Sequence, residues 1–207
     1  DLLEGAGFRV ERGIAELPTA FRATIGDGSL VASLCVEYDA LPEVGHGCGH
    51  NLIAGASLGA ALALAEQVAQ LDLTLVVIGT PAEEHGGGKQ LLIDRGAFEG
   101  VHLSLMTHPT PHTDTYDVLG STSQAVGRWR ATYTGRGAHA AANPSDGINA
   151  NDAAVVAQVA AGLLRQRIRD GQRLALIPIQ TGITNIIPET AVIDFECRAL
   201  TMPEFEL

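Results

Sequence analysis

The chain has 207 residues, 46% of them hydrophobic and 18% charged, which suits one large α/β domain or two small ones and excludes the disordered and fibrous classes. Thirteen Lys and Arg against 24 Asp and Glu leave a net charge of −11, which repels phosphate backbones and anionic lipid, so neither nucleic acid nor a membrane is an expected partner. The long apolar stretch from Leu52 to Leu64 is rich in Ala and Gly and too short to span a bilayer, and no leader pattern precedes it. The expectation is a soluble protein. Three widely spaced cysteines, Cys35, Cys48 and Cys197, point to a reducing cytoplasm rather than a disulfide framework.

Nearly continuous apolar runs at Leu30 to Val36, Leu73 to Thr80 and Val101 to Thr107 predict strands buried on both faces. A helix is expected from about Leu52 to Val68 and another from about Lys89 to Ala97. The order β-α-β-α-β predicts an α/β domain, a mostly parallel sheet with helices on both faces. Near Gly120-Ser121-Thr122-Ser123 the pattern changes, and Val126 to Thr134 alternates like a half-exposed antiparallel strand. A boundary near residue 125 therefore divides a first domain, 1–125, from a smaller α+β domain, 126–207. The second should hold an amphipathic helix from about Asp146 to Ile168, strands at Leu174 to Gln180 and Ala191 to Arg198, and a helix beginning at Pro203, where a missing N–H costs nothing. A start at Asp1 and a stop at Phe205-Glu206-Leu207 read as a chain cut at both ends.

Each of the three strands in the first half ends in potential ligands or acid/base groups. Glu37, Asp39, His46, Cys48 and His50 follow the first, Glu83, Glu84 and His85 the second, His108 and His112 the third. Open parallel sheets bind ligands beyond the carboxyl ends of their strands, so these groups should converge. Sulfur, imidazole and carboxylate together are the donor set of a transition metal rather than of magnesium or calcium, and Cys48, His50, Glu84 and His108 are the candidate ligands. The helix starting just beyond Cys48 should favour its thiolate. Adjacent Glu83 and Glu84 point in different directions, so one carboxylate can bind metal while its neighbour takes a proton from a bound water. His85, His102 and His112 are read as structural or solvated, and Cys35 and Cys197 as small buried hydrophobes. The run Gly86-Gly87-Gly88-Lys89 lacks the spacing of a phosphate loop. A cysteine hydrolase using Cys48 with His46 or His50 is disfavoured, because such nucleophiles recruit a base distant in sequence and the glutamates would go unused.

The stretches Glu37-Tyr38-Asp39-Ala40-Leu41-Pro42, His46-Gly47-Cys48-Gly49-His50-Asn51, Pro81-Ala82-Glu83-Glu84 and Thr107-His108-Pro109 resemble the aminoacylase/carboxypeptidase metallopeptidases, peptidase family M20. The likeness lies in its amidohydrolase branch, with the aminobenzoyl-glutamate hydrolases and related dipeptidases. Gly137-Ala138-His139-Ala140-Ala141, Gly147-Ile148-Asn149-Ala150 and Asn185-Ile186-Ile187-Pro188 extend it across nearly the whole chain. The resemblance implies an incomplete catalytic domain, 1–125, and an incomplete ferredoxin-like lid, 126–207, that also forms a homodimer. It implies one or two zinc or manganese ions on Cys48, His50, Glu84 and His108, Glu83 as general base, and Asp39 orienting a ligand. It further implies that His139 stabilises an oxyanion in a neighbouring subunit's site and that Asn185, with Arg198, holds a substrate carboxylate. The implied reaction is hydrolysis of N-acyl amino acids or dipeptides.

Two departures stand out. Asn51 replaces the Asp common in the branch, and the family's further His ligand, from a segment after the lid, has no counterpart in these 207 residues. The latter makes a non-catalytic fragment that retains metal binding or dimerisation the alternative reading.

Overall fold

A computed structural model describes residues 1–110 and 123–206, and the chain divides into two compact units, Asp1–Tyr116 and Asp117–Leu207. His112, read above as structural or solvated, lies outside the described residues.

The first unit contains α1 (Leu2–Gly5), β1 (Arg9–Arg12), β2 (Phe21–Ile25), β3 (Leu30–Val36), α2 (His50–Ala65), β4 (Leu73–Gly79), α3 (Gly88–Asp94) and β5 (Leu103–Leu105). Its sheet runs β1-β2-β4-β3-β5. β4 and β5 flank β3 in parallel, whereas β2 pairs antiparallel with β4 and β1 antiparallel with β2. The sheet is thus mixed, not mostly parallel. The sequence reading misses β1 and β2 because they are short and interrupted by Arg9, Glu11, Arg12 and Arg22, so no continuous apolar run marks them.

β4 explains why the centre of the sheet is apolar throughout. Leu75 and Val77 point to α2, with Leu34, Val36 and Ala61, while Val76 and Ile78 point to the opposite face and Leu92 of α3. Each such fully buried aliphatic side chain contributes roughly 1.5–3 kcal/mol of transfer free energy. Small residues on α2 let it approach closely, and Ser57 Oγ donates to the Cys35 carbonyl across 2.9 Å. β5 departs from expectation, because Leu103 and Leu105 at the edge of the sheet are 46% and 52% exposed where an apolar run predicts burial on both faces. Parallel register pairs Val36 with Gly79 and Leu34 with Leu105, so the chain leaves β3, β4 and β5 at one end of the sheet.

The second unit contains β6 (Ala125–Thr134), β7 (Ala138–His139), α4 (Ala150–Leu164), β8 (Arg173–Gln180), β9 (Ile186–Ile187), β10 (Thr190–Ala199) and α5 (Met202–Phe205). β10 lies between β6 and β8, antiparallel to both. One face carries Ile193 and Ala191 against Ala150 and Ala154 of α4; the other carries the pairs Arg130–Asp194 and Arg128–Glu196. α4 begins later than its periodicity suggests because Asn149 caps it, its side chain accepting the Asn151 N–H at 2.9 Å. Pro203 occupies the first turn of α5, after a Thr201 cap. Among the described residues no helix is long and apolar enough to cross a membrane, and Cys35, Cys48 and Cys197 are free thiols.

Candidate metal centre

His50 organises the site. It is the first residue of α2 and 1% exposed, and its Nδ1–H donates to the Asp39 carbonyl at 3.0 Å and lies 3.2 Å from Asp39 Oδ1. A carbonyl oxygen can only accept, so Nδ1 carries the proton and Nε2 of the neutral ring presents a lone pair. That lone pair faces Glu37 Oε2 at 3.2 Å, Glu84 Oε1 at 3.7 Å and Glu83 Oε2 at 3.8 Å. His50 Nε2 and Glu37 Oε2 are both buried and find no hydrogen-bond partner among the described residues. These two lone pairs face each other without a proton between them, an arrangement that costs free energy unless a cation lies there.

His108, in the segment after β5, repeats this device at the surface. Its Nδ1–H donates to the Pro109 carbonyl at 2.7 Å, leaving Nε2 as the donor atom available to a metal. Two groups of ligand atoms lie close enough to share an ion, Glu37 with His50 and His108, and His50 with Glu83 and Glu84. Imidazole and carboxylate in this proportion fit a divalent cation.

Asp39 ties the cluster together, its Oδ2 accepting the Glu84 N–H at 2.9 Å while Oδ1 lies 3.2 Å from His50 Nδ1. Burial alone would raise its pKa, but hydrogen bonds from the amides of Glu84, Glu83 and Asp39 itself outweigh burial and hold the carboxyl below its usual range. Glu84 is the more buried of the adjacent pair, at 14% against 44% for Glu83, so Glu83 stands on the solvent side.

Cys48 lies outside both convergent groups. A hydrogen bond to Glu84 pushes its thiol up to about 11, followed by burial and the charges of Glu84, Glu83 and Asp39. This corrects the expectation that the start of α2 would favour the thiolate, because nearby full negative charges outweigh the partial charge of a helix terminus. A bound cation reverses the balance, since coordination deprotonates a thiol outright.

Gly49 makes the turn between Cys48 and His50 possible. Its φ is 77°, and a Cβ there would lie 2.5 Å from Pro109 Cγ, next to His108. Gly49→Ala is therefore expected to destabilise the protein by at least the roughly 1–2 kcal/mol of a left-handed residue. A lowered denaturant midpoint checks this, and wild-type stability would contradict it.

Two groups were undervalued in the sequence. Glu37 stands among the strand-end groups without a role, and Lys89 marks only a helix start and the rejected phosphate-loop run; the Lys89 ammonium pairs with Glu37 Oε1. Two acidic or basic residues 52 apart give no sequence signal of pairing. His102 is structural as expected, its Nδ1 accepting the Val31 N–H at 3.2 Å, and His46 and His85 are exposed.

In the second unit β7 pairs with β9, His139 opposite Ile186, and the Ala140 N–H donates to the Asn185 carbonyl at 3.0 Å, so His139 and Asn185 come together. The amides of Ala141 and Ala142 donate to His139 Nδ1 at 3.2 and 3.0 Å, which places the proton of the neutral ring on Nε2. Both side chains are exposed. Arg198 is not gathered with them. Its Nε donates to Glu196 Oε1 at 2.5 Å, on the same face of β10, and Glu196 also accepts from Arg128.

By sequence comparison residues 34–182 match the model of peptidase family M20/M25/M40, and the chain belongs to that family. It is 40% identical to the Xaa-Arg dipeptidase of Mus musculus over 205 residues, covering 92% of this chain and 46% of the relative. It is 31% identical to one of the subunits of the p-aminobenzoyl-glutamate hydrolase of Escherichia coli over 225 aligned positions, covering 99% and 46%. The chain thus spans about half the length of these relatives. Among solved structures, the Bacillus subtilis YXEP protein, a dinuclear metal-binding peptidase of the M20 family, shares the fold with a TM-score of 0.63 and 22% identity, over 99% of this chain and 58% of that one.

Proposed function

We propose that this protein is a metal-dependent hydrolase of the amide bond in N-acyl amino acids or dipeptides that carry a free carboxylate. The observation that carries the reading is the His50 Nε2 lone pair, fixed by Asp39 and aimed at the carboxylates of Glu37, Glu83 and Glu84. Cys48, His50, Glu84 and His108 are the proposed ligands, and the cation is zinc or manganese, one or two ions per site. When bound, it supplies Lewis-acid polarisation of the amide carbonyl and lowers the pKa of water.

Glu83, on the solvent side of the cluster, takes a proton from the attacking water as its oxygen bonds to the carbonyl carbon. The same carboxyl then delivers that proton to the amine nitrogen as the C–N bond breaks. Asp39 keeps His50 in the required tautomer. His139, with its proton on Nε2, donates to the oxyanion, and the Asn185 side chain holds the substrate carboxylate. Arg198, engaged by Glu196, keeps only its remaining N–H groups for such a role.

The names of the relatives support this substrate class, since one is a dipeptidase and another a p-aminobenzoyl-glutamate hydrolase. A homodimer through residues 126–207 as a lid is part of the proposal, supported by exposed Val155, Val156, Val159 and Leu163 on α4. We place the enzyme in the cytoplasm, in keeping with its free thiols.

Turnover of dipeptides with acidic and basic ends, and of p-aminobenzoyl-glutamate, tests the proposal on the full-length protein. Exhaustive chelation is expected to abolish hydrolysis and added manganese or zinc to restore it. Activity that survives complete metal removal would overturn the reading.

A further inference from the structure

Glu37 follows the last residue of β3 and is 1% exposed, a position where a carboxylate is costly unless both oxygens are satisfied. Lys89, in the first turn of α3, satisfies Oε1. Oε2 meets no donor among the described residues and points instead at His50 Nε2, 3.2 Å away. With the His50 proton committed to the Asp39 carbonyl, two lone pairs face each other inside the protein.

That spacing is the one two ligands of a single ion adopt. Donor atoms each about 2.1 Å from a shared ion lie roughly 3.0 Å apart at a right angle and roughly 3.4 Å apart at a tetrahedral angle. The Glu37–His50 separation falls between these limits, while Glu84 and Glu83, at 3.7 and 3.8 Å from the same nitrogen, stand farther out. His108 completes the group with Glu37 and His50.

We propose that Glu37 is itself a metal ligand, its Oε2 binding the divalent cation held by His50 and His108 while Lys89 locks Oε1. The inference rests on the metal-centre reading above and adds a ligand to it. Lys89 has two consequences. It restricts Glu37 to one-oxygen coordination, and it offsets one negative charge in a site that already holds Asp39, Glu83 and Glu84. The site can then keep an additional carboxylate without an uncompensated buried charge before metal arrives.

Titration of Co²⁺ into metal-free full-length protein, followed by calorimetry and by the visible Co²⁺ bands, tests this on wild type, Glu37→Gln, Lys89→Met and the double variant. The double variant replaces the buried pair with neutral groups of similar size, so it keeps the fold if the single change at Glu37 does not; thermal unfolding verifies each protein. Glu37→Gln and the double variant are expected to weaken Co²⁺ binding by at least about tenfold and to shift the visible bands, whereas Lys89→Met retains tight binding. If the double variant binds Co²⁺ with wild-type affinity and spectrum, Glu37 serves only to pair Lys89 and the inference fails, while the metal centre stands. If wild type takes up no Co²⁺, the metal-centre reading fails with it.

Discussion

Glu83→Gln is expected to lower kcat by roughly 10²–10⁴ while leaving metal affinity close to wild type. The asymmetry follows from position. Glu83 is 44% exposed and stands farthest from His50 Nε2 among the three carboxylates that face it, so the ion's nearest neighbours survive its neutralisation. Gln keeps the size of the side chain and can still donate or accept a hydrogen bond, but it cannot take a proton from water or return one to a departing amine. The loss should therefore appear in kcat, with the metal content per chain unchanged by elemental analysis. Glu84→Gln should do the reverse, reducing metal content first, because Glu84 is partly buried, hydrogen-bonded to Cys48 and tied through its amide to Asp39. A Glu83→Gln protein that turns over at the wild-type rate would remove Glu83 from the chemistry and leave the general base unassigned.

The parts of this architecture that are legible in the sequence are those governed by local pattern. β3, β4 and β10 fall within a residue or so of their apolar runs because both faces of β3 and β4 are covered and β10 is the central strand of its sheet. β1 and β2 are not legible, since an edge hairpin rich in Arg and Glu gives no run or period to detect. In the site, the convergence of Asp39, His50, Glu83, Glu84 and His108 follows from one rule, that parallel strands deliver their C-terminal loops to one edge. The Glu37–Lys89 pair depends on how α3 packs over the sheet, and the His139 tautomer depends on two amides in a turn. Neither is encoded in spacing. Nor does spacing reveal that the neighbouring Glu196 engages the Nε of Arg198.

His139→Ala is expected to reduce kcat by about 10²–10³, the effect of deleting one oxyanion donor, with metal affinity unchanged. The expectation comes from the two backbone amides on Nδ1, which leave Nε2 as the protonated nitrogen of the neutral ring at an exposed position beside Asn185. If His139 acts in a neighbouring subunit, its loss can be repaired in trans. A Glu83→Gln protein and a His139→Ala protein are each nearly inactive alone. Mixed at equal concentration and allowed to exchange subunits, half the dimers are hybrids. Each hybrid has one site combining an intact Glu83 with an intact His139 from the other chain. Recovered activity should therefore approach about one quarter of wild type, as twofold symmetry dictates. Should the mixture stay as inactive as its components after exchange is verified by mass, His139 acts within its own chain or not at all. If the His139→Ala protein alone retains wild-type kcat, the oxyanion role is lost while the metal centre and Glu83 are untouched.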